Sequence, residues 1–462
     1  MRFGRTSENA RFGIFLVLLG ACFLMGGASR LDVTSLIILQ PLAALCAGSF
    51  LVITGTIDWK VIRTPLLLLA ALAGVIAAQL IPLPPSIWAA LPGHAPFADS
   101  ARAAGLVQPW RPISLTPDLT LASLVGLVVP LAALLGFAAI DPHRRHNLLL
   151  VLIVAIWISA FFGLAQVSGG PNSPFYLYRI TNAGNAVGLF SNRNHQALLL
   201  AMGWPLLAVW ATVPHGDRRQ RAARRWIAVG LALFLLPLLL VTGSRAGLLL
   251  GAIGLTCGGL LWRWRRAALP VPMSRLERFA IPTIVAVSVL ILVATIMFSR
   301  AEAVRRLLTL TGSDDTRVEA APVLFEMAWN FFPIGSGFGS FDPVFRAYEP
   351  LQMLRPEYLN HAHNDLLEMA ITGGIFGCLI VVLFLAWFAV QTWRAWRGQN
   401  ASMDAALARA GSIMILLILL SSVVDYPLRT PLLMAIFAVC CGWLGVNREA
   451  QQPRARSVAN PK

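Results

Sequence analysis

Charged residues are scarce in this sequence. Asp, Glu, Lys and Arg together make up 13% of the 462 residues, whereas hydrophobic residues make up 57%. A typical soluble domain is about 25% charged, so this composition excludes an ordinary soluble protein. The mean hydropathy of +0.71 and the repeated long apolar runs indicate an integral membrane protein.

Cysteine is also rare, and the six cysteines all fall inside predicted membrane spans. None has a partner in a loop, which excludes a disulfide framework. The sequence has no CxxC, no HExxH and no carboxylate triad, so it predicts neither a metal site nor a cofactor. The glycine-rich stretch at 335–339 (GSGFG) lacks the strand–helix context and the lysine of a nucleotide-binding loop.

The net charge of +16 does not indicate nucleic-acid binding. The positive residues lie in short loops between apolar runs, where the orientation of membrane proteins explains them. Counting Lys and Arg in alternate loops predicts that both termini are cytoplasmic. The N-terminal basic residues and the apolar run 12–25 resemble a secretory signal, but we interpret this segment as an uncleaved first span.

A membrane-spanning helix needs about 20 apolar residues, and about twelve segments qualify. The predicted spans are 12–28, 33–54, 63–82, 119–140, 147–167, 194–213, 226–242, 245–262, 279–298, 366–390, 410–424 and 428–446. The stretch 226–262 is just long enough for two helices, hinged at 242–245. The predicted fold is therefore an all-α integral membrane protein.

The predicted spans divide the chain into four parts: residues 1–298 with spans one to nine, a large polar loop at 299–365, spans ten to twelve at 366–446, and a cytoplasmic tail at 447–462. Two further outer loops lie at 83–118 and 168–193. The first is proline-rich and is expected to lie against the outer membrane interface. Within the large loop, a helix is predicted near 317–332.

Aromatic residues are frequent in the large loop, and they include Phe325, Trp329 and Phe332. They have two possible roles, as stacking surfaces for sugar rings or as the small core of the loop itself.

The large loop ends in HAHNDLLEMAITGG at 361–374, immediately before an apolar helix. A histidine here can act as a general base, and His363 and His361 compete for this role. Asp365 and Glu368 have the spacing of a capping box. The alternative interpretation is a helix cap with a polar interfacial histidine.

Arginines at the predicted outer surface are candidates for binding a diphosphate. Arg245 lies at the tip of the predicted 226–262 hairpin. The alternative interpretation is an arginine whose side chain simply extends to the membrane interface. Arg193 lies in an asparagine-rich loop and equally fits a polar cap on a span. Arg317 opens the predicted loop helix and equally fits a solvated helix face.

Several motifs in this order resemble the O-antigen ligase and polymerase superfamily. They are GLFSNRNHQALLL at 188–200, SRAG at 244–247, PIGSGFGSF at 333–341 and HAHNDLLEMAITGGIFG at 361–377. The resemblance covers roughly residues 150–445, with the large loop between the ninth and tenth spans. It implies a GT-C-like, metal-independent glycosyltransferase of the bacterial inner membrane, with its active site in the periplasm.

The resemblance also implies substrates and roles. The donor would be a glycan on undecaprenyl diphosphate, and the acceptor a glycan or lipid A–core among membrane lipids. The essential histidine would be His363, followed by Asn364, with Arg245 at the membrane edge and Arg317 in the loop. His361, Glu368 and Arg193 complete the predicted substrate site. Because no carboxylate pair suggests a covalent intermediate, the predicted transfer inverts the anomeric carbon.

The sequence leaves open whether the predicted enzyme is a ligase or a polymerase of O-antigen or exopolysaccharide repeat units. A transporter of twelve spans is the alternative from another class. Transporters keep ionisable residues near the middle of the membrane, whereas here the polar residues collect at the predicted outer edge.

Overall fold

The computed structural model describes residues 2–53, 55–268, 316–354, 359–398 and 400–446. Within these ranges the chain is mostly helical, with almost no sheet. The helices, numbered in chain order, are α1 Arg2–Met25, α2 Leu36–Val52, α3 Trp59–Ala78, α4 Pro85–Ala90, α5 Ala95–Ala103, α6 Pro117–Gly126, α7 Val128–Ala139, α8 Pro142–Arg145, α9 Leu148–Ser168, α10 Arg193–Ala201, α11 Gly203–Ala211, α12 Arg218–Val241, α13 Arg245–Ala268, α14 Thr316–Phe331, α15 Phe341–Tyr348, α16 Asp365–Arg397, α17 Met403–Ser422 and α18 Pro431–Val446. The two short strands, β1 Pro82–Leu83 and β2 Arg111–Pro112, pair antiparallel.

Eight segments within the described ranges are long and apolar enough to cross a membrane, and α2 and α18 are shorter apolar helices. Each predicted span has a helix or a pair of helices at its position, except 279–298, which lies outside the described residues. The predicted span 194–213 is divided at Met202 into α10 and α11. The last span starts at Pro431 rather than at 428, because a short 3-10 turn, Pro427–Arg429, precedes it.

The core of the helix bundle forms around α7, α17 and α18, with α1 packed beside them. Small residues allow the close crossings. Gly254 and Gly258 of α13 face the backbone of α10 and α11, and Gly445 of α18 faces the carbonyl of Val61. Close approach over small residues is the usual way in which helices associate in lipid, where hydrophobic burial contributes little.

A second, smaller hydrophobic core lies in the polar part of the chain. It is formed mainly by α14 and α15, with Leu359, Ala362 and Ile371, and Phe97 and Leu115 pack against it. We call the described residues of 82–118 and 316–362 the loop domain. Four of the loop aromatics, Phe331, Phe338, Phe341 and Phe345, are buried.

The turn at 333–337 fixes the loop domain to α16. Ser336 and Gly337 donate backbone hydrogen bonds to the carbonyls of Ile371 and Thr372, and Ile375 donates to Pro333 at 2.9 Å. The helix is kinked at this point, because Gly374 has φ 58° and ψ −147°. A Cβ at Gly374 would overlap the carbonyl oxygen of Pro333.

Gln79 joins the same junction from the end of α3. Its amide nitrogen donates to the carbonyl of Thr372 at 2.8 Å, and its amide oxygen accepts from the backbone of Phe338 at 3.0 Å. The start of α16 is therefore held between the loop domain and the membrane helices.

We expect Gly374→Ala to destabilise the protein, because Cβ meets the backbone of Pro333 at a positive φ. The strain and overpacking together should cost about 2–4 kcal/mol. The measurement is the apparent melting temperature of the purified protein in detergent. Gly48→Ala is the control, since a Cβ at Gly48 of α2 meets nothing within 4 Å. Equal melting temperatures for the two variants would contradict this account of the kink.

Candidate functional site

The polar site is centred on Asp425, a carboxylate that is fully buried between α17 and α18. Asn194 donates to its Oδ2 at 2.8 Å, and Asn192 donates at 3.3 Å. His363 Nδ1 lies 3.3 Å from Oδ1, and His195 Nε2 lies 3.9 Å from Oδ2. The His363 contact is within ion-pair distance but lies off the direction of a hydrogen bond.

His363 has a backbone conformation that non-glycine residues rarely adopt, with φ 49°. The residues on either side hold it there. The backbone N–H of Ala362 donates to Glu368 at 2.9 Å, and the side chain of Asn364 caps α16 by accepting from the N–H of Leu367 at 3.0 Å. The imidazole of His363 is partly exposed, and its Nδ1 edge faces the carboxylate of Asp425.

Tyr426 separates two groups of polar residues. Its ring centroid lies 4.8 Å from that of His363 and 5.5 Å from that of His195 on one side. On the other side it lies 4.5 Å from the ring of His361. We call the residues around Asp425 the Asp425 cluster, and those around Glu368 the Glu368 cluster.

The Glu368 cluster is a buried network of opposite charges. Glu368 accepts from His361 Nδ1 at 3.0 Å and lies 3.3 Å from a terminal nitrogen of Arg429. Asp365 accepts from Ser422 at 2.9 Å and from Arg429 Nε at 3.4 Å. Burial by itself lowers the pKa of Arg429, but Glu368 and Asp365 outweigh it and raise the pKa above its ordinary value.

The predicted capping box of Asp365 and Glu368 is wrong. The N-cap of α16 is Asn364, and Asp365 is the first helical residue. The two carboxylates are instead directed to Arg429, because burying them requires a cation.

Three helices start at the site, at Arg193, Arg245 and Asp365. Ser244 Oγ accepts from the N–H of Gly247 at 2.9 Å and donates to Asn194 Oδ1 at 2.7 Å. Since Asn194 in turn binds Asp425, two hydrogen bonds connect the start of α13 with the buried carboxylate. The positive ends of helix dipoles favour a bound anion at such a position.

The predicted arginines take different places. Arg245 is exposed at the start of α13. Arg193 donates to Asn185 Oδ1 at 3.1 Å, and this pair lies beside Gly243 in the turn before α13. Arg193 and Arg245 therefore lie at neighbouring helix starts. The backbone of Arg317 lies in the first turn of α14, whereas its side chain lies outside the described residues.

A cavity of about 540 Å³ opens beside the Glu368 cluster. Its polar end includes Arg30, Asn360, His361 and Arg429, and its walls are apolar side chains of α2, α3, α7, α16 and α18. Neither His363 nor Arg245 lines this cavity. An adjoining apolar groove of about 590 Å³ lies between α2, α3 and the α6–α7 pair.

Sequence reasoning missed Asp425, Tyr426 and Arg429. They lie in the short segment DYPLR between α17 and α18, the end of which, including Arg429, falls inside the predicted span 428–446. An arginine at the start of a predicted span, close to a carboxylate, was the available signal, because charged residues are rare within spans. The importance of Asn194 was also missed, although its asparagine-rich loop was singled out.

The fold and site thus define a multi-pass membrane protein with a histidine–carboxylate site at one end of its helix bundle. A family model described as O-Antigen ligase matches residues 230–382, which include Arg245, His363 and Glu368. This match confirms the predicted resemblance to the O-antigen ligase and polymerase superfamily and supports a function of that type in the inner membrane. None of the curated proteins compared with the chain matches it.

We expect Arg429→Met to destabilise the protein strongly, because it leaves two buried carboxylates without their cation. The loss of one partner of a buried ion pair costs about 3–5 kcal/mol. Thermal unfolding in detergent measures the effect. Adding Glu368→Gln to this variant should recover part of the loss, since it removes one of the unpaired charges.

The control for this prediction is Arg346→Met, which breaks the exposed pair of Arg346 and Asp342. An exposed pair contributes about 1 kcal/mol or less. If Arg429→Met and Arg346→Met unfold at the same temperature, Arg429 is not the cation that stabilises the buried carboxylates.

Proposed function

We propose that the protein is a glycosyltransferase that moves a glycan from undecaprenyl diphosphate to an acceptor at the periplasmic face of the inner membrane. Lipid A–core or a similar glycolipid is the proposed acceptor. The observation that carries the proposal is the pair of His363 and Asp425, placed where three helices start. The family match at residues 230–382 supports the same class of reaction.

His363 is the proposed base. With Nδ1 turned to Asp425, its Nε2 is available to accept the proton of an acceptor hydroxyl. The acceptor oxygen then forms a bond to the anomeric carbon as the bond from that carbon to the diphosphate oxygen breaks. This single displacement inverts the anomeric centre, and Asp425 stabilises the imidazolium that forms. The step uses neither a metal nor a cofactor.

Arg245 and Arg193 are proposed to bind the diphosphate leaving group. Negative charge develops on this group in the transition state, so cations and helix N-termini that are already in place stabilise it. Arg317 and Asn364 remain candidates for contacts with the substrate, although Asn364 also caps α16.

The cavity beside the Glu368 cluster suits the lipid part of a substrate. It combines apolar walls with a polar end, which matches a prenyl or acyl chain that carries a sugar head group. His361 and Glu368 lie at this polar end and are proposed to contact sugar hydroxyls.

Polymerisation of O-antigen or exopolysaccharide repeat units is the alternative, because it uses the same donor and the same chemistry with another acceptor. A transporter is a less favoured alternative than either glycosyltransferase. Most of the described charged residues that are buried lie at or near helix ends. Arg11 and Arg409 lie farther along α1 and α17, where they bind backbone carbonyls of neighbouring turns and helix ends.

We expect His363→Ala to reduce glycan transfer by a factor on the order of 10² to 10⁴, the usual contribution of a general base. Asp425→Asn should also reduce glycan transfer, since the amide cannot stabilise an imidazolium. Both variants are tested by complementing a deletion strain and separating its lipopolysaccharide on gels. His143→Ala is the matched control, because His143 is exposed in α8, away from the site.

The same strain distinguishes ligase from polymerase. Lipid A–core without long chains, together with polymer accumulating on the lipid carrier, indicates a ligase. Single repeat units on the core, or loss of secreted polysaccharide, indicate a polymerase. A His363→Ala protein that restores the wild-type profile would refute the proposed base.

We expect Arg245→Gln to weaken binding of the donor, seen as a higher KM for a polyprenyl-diphosphate glycan in vitro, with Arg245→Lys intermediate. A lysine keeps the charge but loses the bidentate geometry of arginine. Arg219→Gln, at the opposite end of the α12–α13 hairpin, is the control. An unchanged KM for Arg245→Gln would remove this residue from the donor site.

A further inference from the structure

Helix α14 is apolar on two opposite faces. One face carries Ala320, Leu324, Met327 and Phe331, which are buried in the core of the loop domain. The other face carries Phe325 and Trp329, whose exposed fractions are 65% and 83%. A helix with a second, exposed apolar face normally has that face covered by protein or in contact with lipid.

The exposed face continues beyond the end of α14 to Phe332, which is 47% exposed. We call Phe325, Trp329 and Phe332 the aromatic stripe. Their spacing of four and three residues places them on one side of a helix.

The aromatic stripe is continuous with the outward surface of a membrane-spanning helix. Pro333, directly after Phe332, accepts a hydrogen bond from Ile375 of α16 at 2.9 Å. From this point α16 exposes Ile375 and Phe376, at 47% and 56%. Both lie in a segment that is apolar enough to cross a membrane.

The length of α16 places this junction near the membrane surface. The part of α16 after the kink, from Gly374 to Arg397, extends over about 36 Å, close to the hydrocarbon thickness of about 30 Å. This part is therefore long enough to cross the membrane by itself, and the part before the kink adds about 13 Å. Arg394 and Arg397 lie at the opposite end, close to the other surface.

We propose that the aromatic stripe lies in the bilayer interface, in the leaflet next to the loop domain. Trp and Phe are favoured at this depth, where an apolar ring contacts acyl chains and the indole N–H reaches the head groups. The loop domain is then fixed to the lipid surface as well as to the membrane helices. This sets the height of His363, and with it the distance from the bilayer at which a sugar is transferred.

Site-directed spin labelling in lipid nanodiscs tests the proposal. Phe325→Cys and Trp329→Cys are labelled with a nitroxide in discs of phosphatidylethanolamine and phosphatidylglycerol. Collision rates are then measured with oxygen, which concentrates in lipid, and with a water-soluble nickel chelate. The controls are Glu326→Cys, on a different side of the same helix, and Arg346→Cys on α15; both positions are exposed.

The unsubstituted protein gives the background, because its own cysteines lie in membrane helices and four of the six are buried. We expect the oxygen-to-nickel ratio to be several-fold higher at 325 and 329 than at the two controls. A ratio as low as that of the controls would overturn the proposal and assign the stripe to water, where a glycan could stack on it. Low collision rates with both reagents would also overturn it, since protein would then cover the face, either a second copy or residues 269–315 of this chain.

Discussion

The site depends on one constraint, which is that a carboxylate buried between membrane helices must be surrounded by donors and positive charge. Asp425 satisfies this constraint with partners from distant parts of the chain. Asn192 and Asn194 come from the start of α10, and His363 comes from the short segment between the loop domain and α16. The same requirement applies to the Glu368 cluster, where Arg429 pairs with two carboxylates. The partners of both groups of carboxylates therefore come from segments that are far apart in the sequence.

Charge compensation differs between the two ends of the helix bundle. At the end opposite the site, the described buried arginines bind mainly backbone carbonyls, although Arg145 also pairs with the carboxylate of Asp58 at 3.2 Å. Arg11 donates to the carbonyls of Ile53 and Ala139, and Arg409 donates to those of Gly398 and Asn400. These arginines fix turns and helix ends. At the end that carries the site, cations face carboxylates, and the side chains of His361 and His363 are partly exposed whereas that of His195 is buried.

Hydropathy is a local property, so it located the described membrane helices even where Met202 breaks one span into two helices. The family resemblance singled out His363 and Arg245 as candidates, but no local pattern identified the residues that contact His363 in the structure. Asp425 lies far along the chain from both, and no periodicity connects it to them. The capping-box prediction failed for a related reason. The local spacing predicted that Glu368 helps to cap α16, whereas its burial requires a pairing with Arg429, which is distant in the sequence.

The backbone around His363 is held by the glycine-rich turn of the loop domain and by the kink in α16. The positive φ of His363 is strained by about 1–3 kcal/mol and persists only because its surroundings are rigid. The turn at 333–337 and the kink at Gly374 fix α16 on one side, and Gln79 fixes it from α3. Tyr426 then fills the space between His361 and His363. A side chain that is held in this way loses little conformational entropy when a ligand binds, so little of the binding energy is spent on ordering it.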